Sequence, residues 1–136
     1  MMYGIGIDIG GTKISMVLGT DQGRILEKLV FPTPHGKKVR STFGLVRQEL
    51  ARMLYAHNLK LSQIRGVGVG VPGLYNKKIG ALEESPNLKD WVGISLRKEL
   101  RKALRRPIRI ENDANATVMA EKHFGYGKGL KNFIYL

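Results

Sequence analysis

Tyr3-Gly-Ile-Gly-Ile-Asp-Ile-Gly-Gly-Thr-Lys13 decides how this chain begins to fold. The apolar run predicts a strand that carries one acid, Asp8, near its end. The strand leads into Gly10-Gly11-Thr12-Lys13, where residues without a Cβ let the backbone turn tightly and bring its N–H groups close to an anion. The threonine and the lysine add a hydroxyl and a cation. We therefore predict a phosphate-binding turn, and a plain glycine turn between two strands is the alternative.

Asp8 is suited to a cation that is already bound to phosphate. Magnesium in proteins is usually held by one or two carboxylates together with the phosphates of the substrate. One acid beside a phosphate-binding turn is therefore sufficient, and we predict that Asp8 is a Mg²⁺ ligand.

Two familiar nucleotide-binding motifs are matched only in part. Gly6 to Lys13 has the spacing of a P-loop, but Thr12 precedes Lys13 where that motif has lysine first. Gly68, Gly70 and Gly73 fit G-x-G-x-x-G, yet the residues after Pro72 do not open the helix that a dinucleotide site requires. Both motifs are rejected on the sequence.

The composition limits the size and the location of the protein. At 136 residues, 43% of them hydrophobic, the chain can form one lobe with a core but is short for a two-lobed enzyme. It has no cysteine, which excludes disulfides and thiolate metal sites and favours the cytoplasm. No basic and apolar leader and no apolar run of membrane-spanning length is present. We expect a soluble protein without a membrane partner.

The charge is strongly positive, with 23 Lys plus Arg against 11 Asp plus Glu and a net charge of +12. Six of these cations lie between Arg97 and Arg106, where the apolar residues have helical spacing. A solvated outer helix face is the favoured interpretation. Nucleic-acid binding is not expected, because no aromatic residues or known binding module accompany the charge. An acidic protein surface is the third possibility.

Apolar periodicity and turn residues predict a mixed α/β order of elements. The predicted strands are Ile5 to Ile9, Ile14 to Leu18, Arg24 to Phe31, Ile64 to Val71, Ile108 to Ile110 and Asn132 to Leu136, with a hairpin over Leu74 to Leu82. The predicted helices run from near Val39 to Asn58, from a Ser95 N-cap to before Pro107, and from near Asp113. Gly125, Gly127 and Gly129 predict a loop.

Four motifs in this order resemble the N-terminal lobe of the ROK family of sugar kinases and repressors. They are Asp8 to Lys13, Gly66 to Gly73, Ser85 to Trp91, and Glu111-Asn-Asp-Ala-Asn-Ala116. That family belongs to the actin-like ATPase superfamily. The resemblance implies an α/β, ribonuclease H-like lobe with a mixed sheet and helices on its faces.

The resemblance also implies roles for individual residues. The first motif would bind the ATP phosphates and magnesium, and Asn112 and Asp113 would bind the sugar, with Asp113 as general base. Gly80 and Asn87 stand on a segment similar to the loop that closes over the sugar. The residues alone leave alternatives open, because Asp113 suits a helix N-cap and the two asparagines suit local turns.

The resemblance divides the chain into residues 1–124, the first lobe, and residues 125–136, the start of a second lobe that is not present. A second phosphate loop, a Glu-x-Gly-His motif and a Cys-rich zinc site would follow in the family. The sequence has none of these motifs, and no zinc site is visible in it.

The implied function is ATP-dependent phosphorylation of a hexose, most simply by a glucokinase, in carbohydrate metabolism. The isolated chain is expected to be inactive and to self-associate, for example as a dimer, through an uncovered face. The alternatives are a non-catalytic sugar- or phosphate-binding fragment and a ROK-type transcriptional regulator. The regulator is less expected, because its helix-turn-helix would precede a phosphate-binding strand that starts here at residue 3.

Overall fold

The computed structural model describes residues 1–125 and 127–132. The strands are β1 (Tyr3–Ile9), β2 (Lys13–Thr20), β3 (Ile25–Pro32), β4 (Ile64–Val71), β5 (Leu74–Asn76), β6 (Ala81–Glu84) and β7 (Ile108–Asn112). The helices are α1 (Ser41–Ala56), α2 (Leu96–Leu104) and α3 (Asp113–Phe124), with single 3₁₀ turns at Gly36–Lys38, Leu61–Gln63 and Lys89–Trp91.

Five strands form one mixed sheet in the order β3-β2-β1-β4-β7, and β5 pairs with β6 in a separate hairpin. The first three strands are antiparallel because short turns join them, whereas β4 and β7 run parallel to β1 after helical crossovers. The carboxyl ends of β1, β4 and β7 therefore lie at the same edge of the sheet. This edge carries Asp8, Gly70 and Asn112.

One face of the sheet forms the core. Alternate residues of each strand point to this face, and α1 and α2 cover it. The buried strand residues are Ile5, Ile7, Ile9, Ile14, Met16, Leu18, Val67, Val69, Val71 and Ile110, and the helices contribute Val46, Leu50, Met53, Leu96, Leu100 and Leu104. The predicted amphipathic spacing of both helices is thus confirmed.

The other face has almost no side chains at its centre. Gly4 pairs with Gly66 and Gly6 with Gly68, so glycines occupy the neighbouring positions of β1 and β4. Helix α3 crosses this face, starting beside β4, where a Cβ built on Gly70 would lie 3.9 Å from the Cβ of Ala116. The predicted mixed sheet with helices on its faces is confirmed.

Gly73 explains why the G-x-G-x-x-G spacing in this chain is not a dinucleotide-binding motif. Its φ is +86°, and a Cβ at this position would lie 2.2 Å from the carbonyl oxygen of Glu84. No other residue fits a site with that conformation and that contact. Strand β5 follows it, not a helix, so the rejection of that motif is confirmed.

Several predicted boundaries need correction. Strand β4 occurs as predicted, and the β5–β6 hairpin forms but ends at Glu84, beyond the predicted Leu82. Strands β2 and β7 are longer than predicted, and α1 starts at Ser41. The predicted N-cap of α2 at Ser95 is confirmed, although the Ser95 side chain makes no cap hydrogen bond. Helix α2 ends in a left-handed Arg105 before Pro107. Of the predicted last strand, residues 133–136 lie outside the described residues.

Within the described residues, no helix combines the length and the apolar character that crossing a membrane requires.

Candidate active site

Two acids flank Gly70 at the carboxyl edge of the sheet. Asp8 is aligned with Gly70 in the β1–β4 ladder, and Asp113 begins α3 directly after β7. A Cβ built on Gly70 would lie 3.7 Å from Asp8 Oδ1 and 3.7 Å from the Cα of Asp113. Both acids line a cleft of about 900 Å³ between the glycine face and α3. The fold therefore brings together two predicted site residues from opposite ends of the chain.

The environment of Asp8 differs from that of an isolated surface acid. Partial burial raises the pKa of Asp8, and the negative charge of Asp113 raises it further. Lys13 and Lys28 act in the opposite direction and lower this pKa. A carboxylate that is partly desolvated beside a second acid is in a position to gain from a bound cation.

Asn112 occupies the cap of α3. Its Oδ1 accepts the N–H of Ala114 at 3.0 Å, and its amide nitrogen donates to the carbonyl of Gly73 at 2.8 Å. Asp113 Oδ1 accepts the same Ala114 N–H at 2.8 Å. Each side chain keeps hydrogen-bonding capacity beyond these contacts, since an amide has two donors and a carboxylate has two oxygens. The cap alternative for Asp113 therefore leaves its second oxygen available for chemistry.

The predicted phosphate-binding turn joins two antiparallel strands, so its backbone is also that of a glycine hairpin. Its carbonyl groups face the protein. The carbonyl oxygen of Gly10 accepts a hydrogen bond from the Thr33 hydroxyl at 2.6 Å, and that of Thr12 accepts one from the Thr33 N–H at 3.0 Å. The carbonyl oxygen of Gly11 lies 2.7 Å from His35 Nε2. Among the described residues, the N–H groups of Gly11 and Thr12 have no hydrogen-bond partner. The turn thus presents donors outward, as an anion site requires.

Asn87 and Gly80 lie in different places. Asn87 packs against the turn, because a Cβ built on Gly11 would lie 2.9 Å from both its Cβ and its carbonyl oxygen. Gly80, with φ +71°, closes the β5–β6 hairpin and accepts the N–H of Arg97 at 3.1 Å. Asn87 is therefore beside the predicted phosphate turn, whereas the described contacts of Gly80 are with the hairpin and α2.

Residues to which the sequence assigned no role in the site complete the surroundings. Gly70 separates the acids, Lys28 reaches the cleft from β3, and Glu111 is held by Lys77 Nζ at 2.7 Å. His35 contacts the turn and is itself held by Asp90. Asp90 was part of a quoted motif, but its partner lies 55 residues away, and nothing in the local sequence indicates that pairing.

The residues present fit a magnesium ion that brings its own phosphates. Among the described residues, no group of three or more His, Cys, Asp or Glu could hold a metal ion. Asp8, partly desolvated at the cleft, would be a ligand of such an ion, because Mg²⁺ at a nucleotide site usually takes only one or two carboxylates from the protein.

Comparisons with known proteins show which family the chain matches. Residues 4–136 match the model of the ROK family. A glucokinase from Thermotoga maritima is 34% identical to this chain, and the match covers 97% of this chain and 40% of the glucokinase. A xylose repressor from Caldicellulosiruptor bescii is 30% identical, covering 97% and 33%. The chain thus spans well under half the length of these relatives.

Solved structures show the same architecture. The ROK hexokinase from Thermus thermophilus has a TM-score of 0.78 at 32% identity, covering 94% of this chain and 41% of its own. A ROK family glucokinase from Streptomyces griseus, solved with glucose and AMPPNP, has a TM-score of 0.73 at 28% identity, covering 93% and 38%. These neighbours are sugar kinases of the actin-like ATPase fold, so the predicted fold class is confirmed.

Proposed function

This chain belongs to the ROK family, and we propose that it is the N-terminal lobe of a kinase that transfers phosphate from ATP to a hexose. The glucokinase relatives support a sugar kinase in general. Glucose and ATP as its particular substrates are supported by the neighbour that binds glucose and an ATP analogue. The observation that carries the proposal is the pair Asp8 and Asp113 on either side of Gly70 at one edge of the sheet.

Asp113 is the proposed general base. A sugar hydroxyl is a weak nucleophile until a carboxylate within hydrogen-bond reach accepts its proton as the phosphoryl group arrives. The oxygen of Asp113 that does not bind Ala114 takes that proton. Asn112, Asn87 and Gly80 are the proposed contacts that orient the sugar.

The turn Gly10-Gly11-Thr12-Lys13 is the proposed site of the ATP phosphates, with Asp8 holding Mg²⁺. The outward N–H groups and the Lys13 ammonium bind anionic oxygens. When bound, the metal would neutralise charge that develops on the phosphates. The second wall of a phosphoryl-transfer site would come from a second lobe, beginning in residues 125–136. We therefore propose that the 136 residues alone have no useful turnover. We also propose that they are soluble and cytoplasmic and that they associate as dimers.

A transcriptional regulator is the second candidate, because a xylose repressor aligns with 97% of this chain at 30% identity. A regulator would bind a sugar without transferring phosphate to it. Measuring both sugar binding and sugar-dependent ADP formation in the longest reading frame that carries this chain distinguishes the two.

The test of the kinase proposal is Asp113→Asn in that same protein. Loss of a positioned base typically lowers the rate by about 10²- to 10⁴-fold, while sugar affinity changes little because the amide can still accept a hydrogen bond. Asp21→Asn, on the β2–β3 turn at the opposite edge of the sheet, is the matched control and should keep full turnover. Turnover in Asp113→Asn equal to that of the control would refute the assignment.

A further inference from the structure

The loop after β3 crosses the phosphate-binding turn and joins it to the segment after β6. Thr33 binds two carbonyls of the turn, and Pro34 accepts the indole N–H of Trp91 at 3.1 Å. Trp91 is completely buried and meets Phe43 edge to face at 6.3 Å. The loop is thus anchored in the core on one side and bonded to the turn on the other.

His35 forms the centre of this connection. Its Nε2 lies 2.7 Å from the carbonyl oxygen of Gly11, and its Nδ1 lies 3.1 Å from both oxygens of Asp90. A carbonyl and a carboxylate are both acceptors, so each ring nitrogen has to donate a proton. Only the doubly protonated, cationic ring makes both bonds.

A backbone hydrogen bond holds the Asp90 carboxylate in position beside the His35 ring. The N–H of Gly36, the residue after His35, donates to Asp90 Oδ2. One carboxylate therefore receives bonds from a side chain and from the adjacent main chain, which holds the ring in a single orientation. We call the set His35, Asp90 and the Gly11 carbonyl the His35 clasp.

Peptide geometry carries the effect of the clasp to the other side of the turn. The carbonyl of Gly11 and the N–H of Thr12 belong to one planar, trans peptide unit, so they point in opposite directions. Fixing that carbonyl on His35 therefore aims the Thr12 N–H outward, where Thr12 is exposed. A cation on the carbonyl also polarises the peptide and strengthens its N–H as a donor.

We infer that His35 is a positioning residue, which in its cationic form orients the Gly11–Thr12 peptide so that the turn can bind phosphate, and that Asp90 holds it there. The inference rests on the proposed function, because it assigns the turn to the nucleotide. In the described contacts, His35 bonds to Gly11 and Asp90 and to neither acid of the cleft.

The clasp depends on pH in a defined direction. The Gly11 carbonyl and the Asp90 carboxylate raise the pKa of His35 above its ordinary 6.5, and the Gly36 N–H and His35 lower the pKa of Asp90 below its ordinary 3.8. The charged residues nearby in sequence are Lys13 on the turn, Lys37 and Lys38 on the loop, and Lys89 beside Asp90; the shift of His35 is not caused by them.

The contribution of His35 is complete below pH 6.5 and is lost as the pH rises through its folded pKa. The contribution of Asp90 is complete above pH 3.8 and is lost as the pH falls through its folded pKa. The clasp is therefore complete between about pH 4 and pH 6.5, and it opens on the alkaline side.

The experiment uses His35→Ala and Asp90→Asn in the longest reading frame that carries this chain. We expect His35→Ala to raise KM for ATP about tenfold, as for loss of a hydrogen bond to a charged group, with KM for the sugar unchanged. In the wild type, KM for ATP should rise with pH through the His35 pKa, and Asp90→Asn should move that step to lower pH. His57→Gln is the matched control, because His57 is also bonded to a carboxylate, Glu27, at 2.8 Å.

Nitrogen NMR of the His35 ring provides a readout that needs no turnover. A ring that stays doubly protonated to higher pH in the wild type than in Asp90→Asn supports the clasp, and a ring that loses its proton at the same pH in both overturns it. An unchanged KM for ATP in His35→Ala also overturns it. If the wild type makes no sugar-dependent ADP, the proposed function fails on its own, and weaker binding of ADP to His35→Ala than to His57→Gln then decides the role of the clasp.

Discussion

The two faces of the central sheet have opposite compositions although they are made by the same strands. On one face every buried residue of β1, β2 and β4 is Ile, Leu, Val or Met, and α1 and α2 cover it. On the other, β1 and β4 present glycines with one acid, Asp8, and α3 leaves a cleft. The first face stabilises the fold, and the second leaves room for a ligand at a partly desolvated carboxylate.

The comparison shows how a strand of period two can separate stability from function. A strand can carry a large apolar residue at one position and a glycine at the next, because the two positions point to opposite faces of the sheet. Substitutions on the two faces should therefore have different signs as well as different sizes.

The largest effect is expected for Leu100→Ala on the sealed face. Leu100 of α2 is completely buried, and removing a buried leucine typically costs about 2–5 kcal/mol. The matched change is Val30→Ala on the other face, where the side chain is 51% exposed and the cost should stay within about 0.5 kcal/mol. Urea unfolding measures both. Equal losses would mean that the second face is covered in solution, which would contradict the difference between the two faces.

A smaller effect of opposite sign is expected for Gly68→Ala on the glycine face. Among the described side chains, no atom lies within 4 Å of a Cβ built there, and its φ is not positive. The substitution should stabilise the fold by about 0.4–1 kcal/mol by restricting the unfolded chain. At Gly6 the added Cβ would lie 2.8 Å from Val17 Cγ2, so Gly6→Ala should lose stability. A destabilised Gly68→Ala would reveal an element packed closely on this face.

The smallest effect is expected for Asp8→Asn, and it concerns charge. Because the folded pKa of Asp8 is raised, its ionisation opposes folding, and the penalty grows as the pH rises from 3.8 through the folded pKa. Asp8→Asn should therefore raise Tm slightly at pH 7 and leave it unchanged at pH 3, while weakening magnesium-dependent ATP use. A lower Tm at pH 7 would show that Asp8 stabilises the fold.

Much of this architecture could be predicted from local sequence. Strand β4, the β5–β6 hairpin and the buried faces of α1 and α2 follow from periodicity, because a side chain's direction within a strand or helix depends only on its position along that element. The placement of Asp8 and Asp113 at strand ends was also local. What the sequence could not predict was that Gly70 stands between them, since strand order decides that.

Residue alternation, turn positions and the acids at strand ends follow from the local sequence, because they depend on backbone geometry over a few residues. Only tertiary packing places Asp8 and Asp113 on either side of Gly70, Asn87 against the Gly11 turn, and His35 on Asp90, 55 residues away. Such contacts join segments whose separation along the chain carries no periodic signal. They arise only when the strands form one sheet and the helices pack on its faces, because this brings distant loops to the same edge.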